Sequence, residues 1–135
     1  MGERADFDRT DRPATAQPPP IPTGGASVHV AAADDATRYG YVSIAGMLRD
    51  RAEFGLRKYG TPLTAWNGRD PVCDAAEEAA DLVAYLRQAM DEGRPVGHLY
   101  WPVLAIAEHL ARAQDQDAGT RRERPDAIAD TPAPG

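Results

Sequence analysis

Apolar residues recur along the middle of the chain at helical spacing. From Arg38 to Tyr59, the positions Tyr41, Ile44, Ala45, Leu48, Ala52, Leu56 and Tyr59 follow one another three or four apart and so share one helix face. Gly46 and Gly55 weaken that helix by about 1 kcal/mol each relative to alanine, and Gly46 marks a point where it could divide in two. Gly60 and Pro62 stop it. Thr61 to Arg69 reads as a loop with an Asn67-Gly68 turn. Asp70-Pro71 is then a strong helix start, with Asp as the cap and Pro in the first helical position. The helix that follows extends from Pro71 to about Glu92 and stops at Gly93. A third helix is expected from Pro102 to Gln114, with a possible start near His98, and turns Val103, Ile106, Ala107, Leu110 and Ala111 to one side.

The two ends lack this period. Of the 12 prolines, only Pro62, Pro71, Pro95 and Pro102 lie between Arg38 and Asp115. Residues 1–37 are therefore expected to be a disordered Pro/Gly-rich leader, residues 38–115 the helical domain, and residues 116–135 a disordered tail. Pro18-Pro19-Pro20-Ile21-Pro22 would suit a polyproline II segment, and Ser27-Val28-His29-Val30 could pair as a strand but has no obvious partner strand nearby. The expected fold is all-α, a small bundle of three to four helices. A domain of about 78 residues has little core of its own, so a homodimer or higher homo-oligomer is expected, with the Ala-rich surfaces of the second helices stacked.

Composition narrows the classes. The 135 residues carry a net charge of −6, which argues against a duplex-DNA binder. No apolar run is long enough to span a membrane, and the first residues do not form a secretory signal, so the cytoplasm is the expected compartment. The single cysteine, Cys73, excludes an internal disulfide and reads as a small buried residue. His109, and the His98 and Trp101 pair, stand as isolated candidates with no second ligand beside them.

The second helix carries the most chemistry. Asp70, Asp74, Glu77, Glu78, Asp81 and Tyr85 fall on one face, opposite Val72, Ala76, Ala79, Val83, Leu86 and Met90. That is the pattern of a solvated surface helix, yet no base interrupts the acids, and like charges four apart repel by a few tenths of a kcal/mol per pair. A divalent cation would relieve the repulsion, and oxygen-only ligands suit Mg²⁺ or Mn²⁺. Both readings, metal site and solvated face, stand. Before this helix, Arg57, Lys58 and Arg69 bracket Tyr59, Trp66 and Asn67. Cations hold phosphates, an aromatic ring stacks on a base, and an amide reads a base edge. Each also has a structural alternative: Arg57 could pair with Glu53, and Tyr59 and Trp66 could be core.

Phe54-Gly55-Leu56-Arg57-Lys58-Tyr59-Gly60, Asn67-Gly68-Arg69-Asp70 and Asp74-Ala75-Ala76-Glu77-Glu78-Ala79-Ala80-Asp81-Leu82 together resemble small phage and prophage proteins of the MazG-related, all-α nucleoside triphosphate pyrophosphohydrolases, including the dATP/dGTP diphosphohydrolase type. The resemblance covers about a third of the chain, from Arg49 to Glu92. That superfamily is recognised by Glu-x-x-Glu, a spacer and Glu-x-x-Asp, whose acids bind Mg²⁺ for hydrolysis of the α–β phosphoanhydride. Glu78-x-x-Asp81 matches the second half. Asp50-x-x-Glu53 stands where the first half would be, with Asp in place of Glu and Arg49, Arg51 and Arg57 around it. The resemblance implies Asp74, Glu78 and Asp81 as metal ligands and Glu53 and Glu77 as groups that orient water. It implies Arg57, Lys58, Tyr59, Trp66, Asn67 and Arg69 as the nucleotide's contacts. It also implies more helix than the three segments offer, so a fourth helix would come from residues before 38 or from a partner subunit. The alternative of another class is a non-catalytic helical module that binds nucleotide or another protein.

Overall fold

The computed structural model describes residues 17–117, with side chains through Gln114. These residues form four α-helices, α1 (Val28–Arg38), α2 (Val42–Tyr59), α3 (Pro71–Asp91) and α4 (Gly97–Asp117), and no strand among the described residues. The all-α fold is thus as expected. The disorder expected of residues 1–16 and 118–135 lies outside the described residues. The chain divides into two units, one ending at Arg69 and the other beginning at Asp70, and each is a pair of packed helices.

In the first unit, α1 lies within the segment expected to be a disordered leader, and it supplies the fourth helix. Ser27 caps it, its hydroxyl accepting from the Val30 N–H at 3.3 Å. Ala31, Ala32, Ala33 and Ala36 favour helix despite the β-branched Val28 and Val30 that suggested a strand. The helix ends in a glycine motif. The Gly40 N–H donates to Thr37 O, the Tyr41 N–H donates to Ala36 O, and Gly40 has φ +75°. The helix expected from Arg38 to Tyr59 is therefore interrupted at Gly40, not Gly46, and α2 runs unbroken through Gly46 and Gly55. Ala33 and Ala45 are the buried apolar residues of this unit. Arg49 reaches from α2 to α1, to Asp34 at 3.5 Å and Thr37 at 3.1 Å. At its other end α2 stops at Gly60, whose φ is +71° and whose N–H donates to Leu56 O.

In the second unit, Asp70 caps α3 as expected, its Oδ1 accepting from Val72 N–H at 2.9 Å and Cys73 N–H at 3.3 Å. α3 ends in the same glycine motif as α1: Gly93 N–H donates to Met90 O and Arg94 N–H to Ala89 O. α4 begins at Gly97, ahead of Pro102 and next to the alternative start near His98, because Val96 O accepts from the N–H groups of Leu99 and Tyr100 and starts the turn. Pro102 then sits in the second turn of the helix, past the four N–H groups that have no intrahelical acceptor, so its missing N–H removes the bond that would go to the His98 carbonyl. Val72, Ala76, Ala79, Val83, Leu86 and Met90 are buried or half-buried, as the helix pattern predicted. On α4, Val103, Ala107 and Leu110 are half-buried, whereas Ile106 and Ala111 are exposed.

Candidate functional site

The candidate residues fall on both units, and each half is built by its own local chemistry. In the first unit, Glu53, Arg57, Lys58 and Tyr59 occupy the last two turns of α2 and are all exposed. Arg57 and Lys58 lie where the helix carbonyls collect negative potential, which favours cations there without any ligand. The Lys58 ammonium sits 5.8 Å from the Phe54 ring and 5.2 Å from the Tyr59 ring, a modest cation–π contact at an exposed position. Arg49, next to Asp50 in sequence, turns to Asp34 on α1.

The loop after α2 is tightly determined. Thr64 and Asn67 are 4% and 8% exposed, the buried polar residues of the described chain. The Asn67 Oδ1 accepts from the Arg69 N–H at 3.1 Å, closing an Asx turn. The expected base-reading amide therefore has its side-chain carbonyl engaged within the turn. Trp66 is half exposed, and its φ of 61° places a large side chain in the left-handed region. Gly68, at φ +84°, completes the turn. The Arg69 Nη1 donates to the Pro18 carbonyl at 2.8 Å.

In the second unit, Asp74 is half-buried and Glu77, Glu78 and Asp81 are exposed along the first three turns of α3. The first base on α3 is Arg87, which pairs with Asp91 at 3.1 Å and so lies beyond the acidic strip. Among the described residues, no three His, Cys, Asp or Glu side chains converge on a point where a metal ion would sit. The strip instead offers carboxylates in i, i+3 and i, i+4 pairs on one open face. Mg²⁺ keeps several waters and is commonly held by one or two carboxylates plus substrate phosphates, so a pair such as Glu78 and Asp81 fits that ion by the chemistry of its donors. Cys73 is half-buried and its backbone serves the cap of α3.

Sequence reasoning missed the contribution of Pro18, Ile21 and Thr23 to the loop. A signal was present: in the run Pro18 to Pro22 only Ile21 has a backbone N–H, and that donor goes to Asn67 O at 2.9 Å. Comparison of the chain with protein-family models, curated proteins and solved structures found no match. No helix among the described residues is long and apolar enough to cross a membrane.

Proposed function

We propose that the chain hydrolyses (deoxy)nucleoside triphosphates, with Mg²⁺, to the monophosphate and pyrophosphate. The observation that supports this reading is the strip Asp74, Glu77, Glu78 and Asp81 on a single unbroken helix, with no base on that helix before Arg87. A surface helix ordinarily intersperses bases among its acids and gains from the pairs. This helix carries no base of its own among these acids. In this reading Glu78 and Asp81 would hold the ion, with Asp74 as a further oxygen donor. The bound ion would supply an acidified water and neutralise phosphate charge. Glu77, on the same helix, orients the attacking water and takes its proton, while Glu53, on α2, is assigned by the resemblance alone. In the first unit, Arg57, Lys58 and Arg69 have the chemistry to stabilise phosphate charge. Trp66 and Tyr59, both exposed, stack on the base, while Asn67 shapes the loop. Water adds to phosphorus, the α–β bridging bond breaks, and pyrophosphate leaves with the bond's electron pair.

A second reading is favoured by a different observation. Among the described residues no large side chain is fully buried, while Ile44, Leu56, Leu82, Trp101 and Ile106 are each close to half exposed or more. Such surfaces suit association, either with further copies of the chain or with another protein in a non-catalytic module. One experiment separates the two readings. The eight canonical NTPs and dNTPs are incubated with the full chain and Mg²⁺, and pyrophosphate and monophosphate are quantified. The enzyme reading expects equal amounts of both from at least one nucleotide, abolished in Glu78→Gln. Absence of release from all eight leaves the non-catalytic module.

A further inference from the structure

The segment from Pro18 to Ser27 forms a strap over the loop that carries Trp66, Asn67 and Arg69. Prolines at 18, 19, 20 and 22 fix the backbone near one extended course and leave Ile21 as the one N–H donor of that run. The contacts run antiparallel along the loop. The Pro18 carbonyl accepts from Arg69 Nη1 at 2.8 Å, and the Ile21 N–H donates to Asn67 O at 2.9 Å. Thr23 and Thr64 share a hydroxyl hydrogen bond of 2.6 Å, and the Val28 N–H donates to Leu63 O at 3.0 Å. The Ile21 side chain lies against Gly68, where an added Cβ would stand 3.8 Å from it. Both buried polar residues of the loop, Thr64 and Asn67, thus have partners on the strap.

We infer that this strap is a positioning element for Arg69: it fixes the Asn67–Arg69 turn and aims the guanidinium, so that the loop's capacity to hold an anion depends on residues some fifty positions upstream. The Pro18 carbonyl is one of the groups that orient the guanidinium. The cost of a large residue at positive φ, Trp66, is held in place by these long-range ties. The role in anion binding rests on the nucleotide reading above, whereas the dependence of the loop on the strap does not.

Two variants of the full chain test this. Thr23→Val removes the hydroxyl that satisfies Thr64 and keeps the shape. Ile21→Pro removes the N–H bonded to Asn67, at a position that Pro22 already confines to extended backbone. Amide hydrogen exchange, read residue by residue by NMR without ligand, should show the Arg69 and Val28 amides exchanging about tenfold faster in either variant, the loss of roughly one buried hydrogen bond, with the α3 and α4 amides unchanged. If Ile21→Pro does not fold, Thr23→Val carries the test. Arg69 exchange equal to wild type overturns the inference. In parallel, inorganic triphosphate is titrated into each chain. Weaker binding by the variants, in the direction of Arg69→Ala, is expected, and tighter binding would make the strap a blocker and refute a positioning role. A wild type that binds no triphosphate removes the nucleotide reading, and the exchange result then decides the strap by itself.

Discussion

Neutralising Asp81 separates the two accounts of the acidic strip by the sign and the conditions of its effect. On α3 the Asp81 carboxylate follows Glu78 by three residues and Glu77 by four, and all three are exposed. Each like-charge pair at that spacing costs about 0.2–0.5 kcal/mol. Asp81→Asn removes both pairs, so without metal the variant should be more stable by about 0.4–1 kcal/mol, less in high salt. For a unit of this size that is a rise of a few degrees in thermal midpoint, given about 4–8 °C per kcal/mol. Metal reverses the order. An ion bound only by the folded chain at one hundred times its dissociation constant adds about 2.7 kcal/mol, which exceeds the repulsion several-fold. Wild type should then gain about 10 °C or more in saturating Mg²⁺ or Mn²⁺, and Asp81→Asn much less. The assay is a melt followed by circular dichroism at several metal concentrations and fixed ionic strength, with Ca²⁺ and Na⁺ as controls for screening. Hydrolysis by the variant should fall by about two orders of magnitude or more. Equal metal-induced shifts in wild type and variant would refute the metal site, and the enzyme reading with it, because no other acidic strip of the described chain lacks interspersed bases.

Glycine-to-alanine changes should carry opposite signs by position. Gly46→Ala and Gly55→Ala lie inside α2 with open space where the new methyl would stand, and each should stabilise by about 0.5–1 kcal/mol in thermal melts. Gly40→Ala also meets open space, but its φ of +75° makes it destabilising by about 1 kcal/mol in the same melts. Asp70→Ala removes the acceptor for two N–H groups at the start of α3 and should cost about 1 kcal/mol, measurable by urea denaturation. Deleting residues 1–37 removes the strap and nearly all of α1, and should lower the midpoint of the first unit by more than about 4 °C; an unchanged midpoint would restore the sequence-based view that residues 38–115 suffice.

How far the fold was legible depended on where each signal resides. α3 was readable because its start, its stop and its faces are written locally: Asp70 and Pro71 open it, Gly93 closes it, and acids and aliphatics alternate at helical spacing between them. α1 was hidden by alanine. The residues it turns inward are His29, Ala32, Ala33 and Ala36, which contribute almost no apolar contrast, and the proline-rich run before Ser27 dominates the local composition. Gly40 was the available clue, since a glycine after a basic helix end is the common terminator. It was overridden by the apparent period running on through Tyr41 and Ile44. The strap was beyond reach for another reason: its donors and acceptors pair residues 35 to 51 positions apart, and no local pattern encodes that register. The same distinction explains the stripe on α2. Its predicted face was wide, from Tyr41 and Ile44 across to Leu56 and Tyr59, whereas the residues that are buried or half-buried there are Ala45, Leu48, Ala52 and Gly55. One neighbouring helix covers a narrow seam, about one residue per turn, and an apolar stripe wider than roughly 100° exceeds it. Ile44, Leu56 and Tyr59 are the excess. An amphipathic pattern reports how much surface a chain has to cover, not what covers it, so the breadth of this stripe beyond the seam with α1 could be read from the sequence while the seam itself could not.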